Sequence, residues 1–265
     1  MKDEKKAILV VSFGTSHAET REKTIGAIEK NIEAAYPDYE IRRAFTSGMI
    51  LKVLEKRDNI VIDNVAEAMN RLIGDGFHEV VVQPTHVIPG DEYDDMVRDV
   101  TMFTGRFDRI IIGKPLLYQT EDYRKVVLAV MEQFPELKQR EALVLMGHGT
   151  EHPVNAAYAA IDYQFKEMGY PNVFIGTVEG YPDTETVLRQ VNNFKPDKIF
   201  LMPLMVVAGD HAVNDMAGED KDSWKNVFES AGYPVQCIIK GLGEFQAIRG
   251  IYLEHLEEAM RSESQ

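Results

Sequence analysis

Three side chains in the second half of this sequence have the chemistry of a divalent-metal site. His148 lies in Gly147-His-Gly-Thr150, Glu179 in Gly176-Thr-Val-Glu-Gly-Tyr-Pro-Asp183, and His211 closes Pro203-Leu-Met-Val-Val-Ala-Gly-Asp-His211. Each segment follows a short apolar run that reads as a strand, so each side chain stands at a strand end. Two imidazoles and one carboxylate suit a borderline divalent ion and leave coordination positions open for water or a substrate. A single His beside a glycine is more often a turn residue, and a single loop Glu is usually solvated. The case for a site rests on all three standing at strand ends of one half.

The first half repeats the second with those chemical groups changed. Val10-Val-Ser-Phe-Gly-Thr-Ser-His17 parallels Val144-Leu-Met-Gly-His-Gly-Thr-Glu-His152, and Pro84-Thr-His-Val-Ile-Pro-Gly-Asp-Glu92 parallels the His211 segment without gaps, with Pro, Val, Gly and Asp in register. Phe13 therefore corresponds to His148, and Glu92 to His211. Glu92 is a candidate to accept a proton or pass metal onward, and Asp91 reads as the cap of a helix starting there, with Asp210 its counterpart. The Ser12-Phe-Gly-Thr15 and Gly147-His-Gly-Thr150 turns offer backbone N–H groups to an anion. Neither completes a Walker A or GxGxxG pattern, so no nucleotide is expected. His86 lies in the first-half motif and is a candidate substrate contact. His17, His78, His152 and His255 join no constellation; His78 and His255 read as structural, and Met202, Met205 and Met216 as core or pocket lining. Arg42, Arg43, Lys52, Lys56 and Lys114 are candidate counter-charges for an acidic substrate, none of them assigned.

The elements that must position these groups alternate along the chain. Apolar runs at 7–13, 40–45, 79–83, 109–113, 142–146, 172–176, 198–202 and 235–240 read as strands, separated by segments of helical period such as 18–35 and 61–74. In the latter, Val61, Val65, Ala68, Met69 and Leu72 share one face. Runs without apolar/polar alternation are buried on both faces, as in a parallel sheet covered by helices. The expectation is two doubly wound α/β lobes, 1–138 and 139–265, divided near the polar Pro135–Glu141 stretch, with the last helix free to pack back on the N-terminal lobe. Ligands of such sheets bind beyond the carboxyl ends of the strands, where both repeated motifs lie, and two such lobes would face a shared cleft.

A chain of 265 residues, 45% hydrophobic and 27% charged, can bury one large core or two modest ones. Its net charge of −14 argues against nucleic acid, whose binding depends on Lys and Arg neutralising phosphates, and makes a cation the more natural guest. No stretch is suited to span a membrane. The lead-in Met1-Lys-Asp-Glu-Lys-Lys6 runs into a strand rather than a signal sequence. The one cysteine, Cys237, sits in an apolar run and reads as a buried thiol. With no disulfide framework, a cytoplasmic location is expected.

Ser12-Phe-Gly-Thr, Gly147-His-Gly-Thr, Val178-Glu-Gly-Tyr-Pro and Pro203-Leu-Met-Val-Val-Ala-Gly-Asp-His-Ala-Val-Asn-Asp-Met-Ala-Gly together resemble the single-subunit, class II anaerobic cobaltochelatases that act on sirohydrochlorin in the cobalamin pathway. The resemblance spans nearly the whole chain. It implies a chelatase-like fold of two flavodoxin-like lobes related by internal duplication. It also implies ATP-independent insertion of Co2+ into sirohydrochlorin, or precorrin-2, with loss of two pyrrolic protons. Cobalt is then a substrate metal, and the partners are a tetrapyrrole and a divalent metal, with neither nucleic acid nor membrane; a homo-oligomer is left open. By motif, His148, Glu179 and His211 would be metal ligands or proton acceptors and Glu92 an assisting carboxylate. Ser12, Phe13, Gly14, Thr15 and His86 would lie on the tetrapyrrole side. Some relatives carry an export signal and bind haem between subunits, a role the lead-in here does not favour. Iron or nickel insertion stays open, because His and carboxylate accept all three ions. A non-catalytic tetrapyrrole or metal carrier and a nucleotide-dependent enzyme explain the His, Glu, His asymmetry less well.

Overall fold

Buried apolar runs become strands in the computed structural model, which describes residues 5–262; residues 1–4, most of the charged lead-in, and 263–265 lie outside the described residues. In chain order the elements are β1 (Lys5–Ser12), α1 (Ala18–Lys23), α2 (Ile25–Ala35), β2 (Glu40–Phe45), α3 (Gly48–Asp58), α4 (Val65–Gly74), β3 (Phe77–Pro84), α5 (Asp91–Thr101) and β4 (Arg109–Ile112). There follow α6 (Thr120–Met131), β5 (Glu141–Gly147), α7 (Ala156–Glu167), β6 (Val173–Thr177), α8 (Thr184–Phe194), β7 (Lys198–Pro203), α9 (Trp224–Ser230), β8 (Val235–Cys237) and α10 (Gln246–Ser262).

The strands form two four-stranded sheets, ordered β2-β1-β3-β4 and β6-β5-β7-β8, with every pairing parallel. The two orders are the same when each is counted from its own first strand. The central strands are buried on both faces: Ala7 to Val11 and Ala142 to Met146 have no exposed surface. This accounts for their lack of alternation in the sequence.

The chain divides into two compact units, Met1–Tyr118 with Gln246–Gln265, and Gln119–Phe245. Helix α6 follows β4 of the first sheet but packs on α7 in the second unit; α10 follows β8 of the second sheet but packs on α2, β3 and β4 in the first. The compact units therefore part at Tyr118/Gln119 and Phe245/Gln246. Ile248, Ile251, Tyr252, His255, Leu256 and Ala259 form the buried stripe of α10, and the Tyr252 hydroxyl donates to the Thr85 carbonyl at 2.8 Å.

Several local expectations change. The helical segment 18–35 breaks at Thr24, whose backbone leaves helical angles and whose hydroxyl donates to the Thr20 carbonyl at 2.6 Å. The segment 61–74 becomes helical only at Val65, because Asn64 and Glu67 form a reciprocal capping box. Val61 is thereby left outside the helix and 74% exposed. Gly90, not Asp91, is the N-cap of α5; Asp91 is its first residue, where a negative charge still favours the helix dipole. In the second unit the Gly209 carbonyl likewise accepts from the amides of Ala212 and Val213. Cys237 ends β8 half-buried, and burial pushes its thiol pKa up. Met202 and Met216 are both buried, Met216 in the core cluster of the second unit, against which Met205 packs. His255 is buried, whereas His78 is exposed beside Asp108. Among the described residues no helix is long and apolar enough to cross a membrane.

Candidate metal centre

The second sheet brings the carboxyl ends of three adjacent strands to one level. Gly147 pairs with Thr177 of β6, and Met146 pairs with Pro203 of β7, so the chain leaves all three strands at the same rim. Backbone hydrogen bonds continue past the sheet: Val178 N–H to the Gly147 carbonyl at 3.1 Å, Glu179 N–H to the His148 carbonyl at 2.8 Å, and Leu204 N–H to the Met146 carbonyl at 2.7 Å. His148 and Glu179 are thus held on neighbouring backbones.

Glycines make this packing feasible. A Cβ on Gly147 would lie 2.3 Å from the Tyr158 ring. Gly149 has φ +84°, and a Cβ there would lie 2.6 Å from the Gly180 nitrogen. In this conformation the Gly149 carbonyl meets the Nδ1 of His148 at 2.8 Å. His211 arrives from the other side of β5, in a helical segment beginning at Asp210 and continuing as a π turn, Ala212–Met216. Buried Ala212 and Met216 anchor that turn in the core.

The outcome is a compact donor set. Ligand atoms of His148, Glu179 and His211 all lie within 4.8 Å of one another. The imidazoles stand edge to face, with centroids 4.8 Å apart and planes at 89°. Glu179 Oε2 is 3.8 Å from His148 Nδ1, beyond hydrogen-bond length. Each Nδ1 faces an oxygen: the Gly149 carbonyl for His148, and Asp215 Oδ2 at 2.7 Å for His211. Those partners place the proton of a neutral ring on Nδ1 and leave Nε2 with the lone pair a metal needs. Both His side chains are 33% exposed and Glu179 56%, so a hydrated ion can reach them.

Residues 6–261 match the family described as cobalt chelatase (CbiK). The chain belongs to the CbiK cobalt chelatase family. It is 44% identical over 256 residues to a sirohydrochlorin cobaltochelatase of Salmonella typhimurium, covering 97% of both chains. It is 32% identical over 259 residues to sirohydrochlorin cobaltochelatase CbiKC of Nitratidesulfovibrio vulgaris, covering 97% of this chain and 91% of the relative. Among solved structures, SirB from Bacillus subtilis with Fe3+ superposes with a TM-score of 0.65 at 17% identity, over 98% of both chains. That likeness shows the two-lobed α/β chelatase fold.

In this cobalt chelatase the candidates of the first half occupy the other unit. The Ser12 hydroxyl is buried and accepts from the Thr85 hydroxyl at 2.8 Å, joining the ends of β1 and β3. Thr15 is buried too; its hydroxyl accepts from His17 N–H and its carbonyl from Arg21. These two residues build the rim instead of offering hydroxyls at its surface. Gly14 has φ +103° and lies against Phe45, leaving no room for a Cβ, while Phe13 is 38% exposed. Part of His86 reaches the surface, but both ring nitrogens are shielded and without a hydrogen-bond partner, and burial lowers its pKa to about 4. Glu92 lies in the first turn of α5, the place in its unit that His211 holds in the other.

Of the basic residues, Arg42 pairs with Glu40 and Asp75, Arg43 with Glu29, and Lys114 with Glu258. Lys52 and Lys56 are exposed on α3. Sequence reasoning missed Asp215. Its only signal was a spacing of four residues from His211, which brings two side chains together only on a helix.

Proposed function

We propose that this chelatase inserts Co2+ into sirohydrochlorin without nucleotide, and that His148, Glu179 and His211 receive the metal. The observation that carries the reading is the donor set itself, with all ligand atoms within 4.8 Å and both Nδ1 atoms engaged by oxygens.

The net reaction takes one Co2+ and a macrocycle bearing two pyrrolic N–H groups, and yields the metallated ring and two protons. The ion must first lose water, and three protein donors can replace water stepwise while open positions remain for ring nitrogens. As a ring nitrogen takes the metal, a protein ligand is released. For each histidine the released atom is Nε2, the same lone pair that is then available to take a pyrrolic proton. Imidazole is the side chain that ordinarily changes charge near neutral pH, so it can serve both roles in turn.

Glu92 is proposed as the assisting carboxylate of the first unit, on the strength of its register with His211. Phe13 is proposed to meet an apolar face of the macrocycle, because it is the exposed member of its motif. Segments 1–138 and 139–265 are proposed as the duplicated halves, with α6 and α10 exchanged between the compact units. The same strand order and the left-handed Gly14 and Gly149 at matching positions support this. The cytoplasm is the proposed compartment, which fits a sequence with a single cysteine.

The test is anaerobic absorbance of purified protein with sirohydrochlorin and Co2+, run beside Fe2+, Ni2+ and a no-enzyme control. Fastest metallation with Co2+ supports the proposal. Faster metallation with Fe2+ or Ni2+ overturns the choice of metal, and binding of the tetrapyrrole without accelerated metallation overturns catalysis in favour of a carrier.

A further inference from the structure

We propose that Asp215 is the positioning residue for His211, holding its imidazole with Nε2 directed as the metal-binding atom; this rests on the reading of His148, Glu179 and His211 as the metal site. Asp215 Oδ2 lies 2.7 Å from His211 Nδ1, four residues along one turn. A carboxylate accepting from Nδ1–H fixes both the tautomer and the ring plane, and makes the far nitrogen a stronger donor.

The backbone beneath Asp215 is immobilised independently of that hydrogen bond. Ala212 and Met216, on either side of it, are fully buried among Trp224, Phe228 and the rest of the second core. Past the turn, the Gly218 amide donates to the Asn214 carbonyl at 3.0 Å, and a Cβ on Gly218 would lie 2.2 Å from that oxygen. Asp215 is therefore carried by a fixed strut, unlike a side chain on a mobile loop. π turns inserted in helices concentrate at functional sites, and here the turn sets the place of both members of the pair.

The two histidines are supported unequally. His148 leans on a neutral backbone carbonyl at 2.8 Å, an acceptor no side-chain substitution removes. His211 leans on a carboxylate, whose charge-assisted hydrogen bond is the stronger kind. A negative charge directly behind a ligand also favours a divalent ion in front of it. Asp215 thus supplies a second carboxylate to the centre without occupying a coordination position, leaving that position for the macrocycle.

The test compares Asp215→Asn and Asp215→Ala with wild type and with His211→Ala, using Co2+ alone as probe. Co2+ affinity is followed by the visible absorption bands of the bound ion, and the His211 tautomer by 15N NMR of histidine-labelled apoprotein. We expect Asp215→Ala to weaken Co2+ binding by about 10–100-fold and to release His211 into a mixture of tautomers. Asp215→Asn, isosteric and still able to accept from Nδ1–H, should fall between it and wild type, which a general folding defect would not produce. Wild-type affinity with an unchanged tautomer in Asp215→Ala, while His211→Ala loses Co2+, overturns the role of Asp215 alone. Wild-type affinity in His211→Ala overturns the metal site on which it rests.

Discussion

Replacing His86 with methionine should make the protein more resistant to acid, and by an amount the structure fixes. Met205 holds the corresponding place in the second motif, so methionine is the residue the fold already uses there. Burial lowers the His86 pKa from its ordinary 6.5 to about 4, with both ring nitrogens shielded and unpartnered. Below pH 6.5 the unfolded chain takes up a proton at this residue that the folded chain refuses until about pH 4. The unfolded state then binds more protons, so stability falls as pH drops through that window and is flat in this contribution above and below it. At about 1.4 kcal/mol for each tenfold change in proton concentration, the loss reaches about 3 kcal/mol. Other groups titrate alike in both proteins and cancel in the difference. Urea unfolding followed by far-UV circular dichroism at pH 7.5, 6.5, 5.5 and 4.5 measures it. The stability of His86→Met relative to wild type should rise by about 1.4 kcal/mol per pH step below 6.5. Above pH 6.5 the difference should be constant, and zero or in favour of methionine, because a buried polar group without partners is costly. Parallel pH profiles for the two proteins would refute the burial argument, since they would mean that the folded state accepts the proton as readily as the unfolded one.

The remaining expectations concern the rims of the two units. His148→Ala and His211→Ala should each weaken Co2+ binding by more than the ~100-fold upper range for losing an outer-sphere partner, with unchanged circular dichroism because both rings are partly exposed; Co2+ titration of the variants checks this. Glu92→Ala should slow metallation without removing Co2+ binding; complete loss of metal binding would make Glu92 a ligand. Gly149→Ala should destabilise the protein by about 1–2 kcal/mol from the left-handed backbone alone, and by more from the 2.6 Å approach to the Gly180 nitrogen. Thermal unfolding and Co2+ titration should both register it, because the same backbone supplies the carbonyl behind His148.

The parts of this protein that were legible in its sequence are those set by backbone physics. Eight strands could be read because unalternating apolar runs such as Ala7 to Val11 have little choice but to be buried on both faces. His148, Glu179 and His211 could be grouped because a parallel sheet delivers the ends of neighbouring strands to one edge, as the pairing of Gly147 with Thr177 does. Helical periodicity shows that a face is buried but not against which sheet, so the place of α6 in the second unit was hidden, whereas the packing of the last helix on the first was among the expectations. The internal hydrogen bonds of Ser12 and Thr15 and the shielding of the His86 nitrogens were hidden for a related reason: a polar residue at a rim reads the same in sequence whether it turns inward or outward. Asp215 was hidden because four-residue spacing has meaning only on a turn.

Glycine holds the matching places beside the residues that changed between the motifs: Gly14 and Gly149 are both left-handed, and Gly90 and Gly209 both supply the first carbonyl of a helix. Beside Gly14 stands Phe13 where Gly149 has His148; two residues beyond Gly90 stands Glu92 where Gly209 has His211. Gly14 and Gly149 meet demands of backbone angle and close packing that a side chain would violate. Their neighbours face no such demand, and so could become ligands in one half without disturbing the turn that presents them. If that division of labour is right, exchanging Phe13 for His should leave the fold intact, as measured by unfolding, while Gly14→Ala should not. A Cβ at Gly14 would lie 2.5 Å from the ring of buried Phe45, in a backbone region that alanine already disfavours.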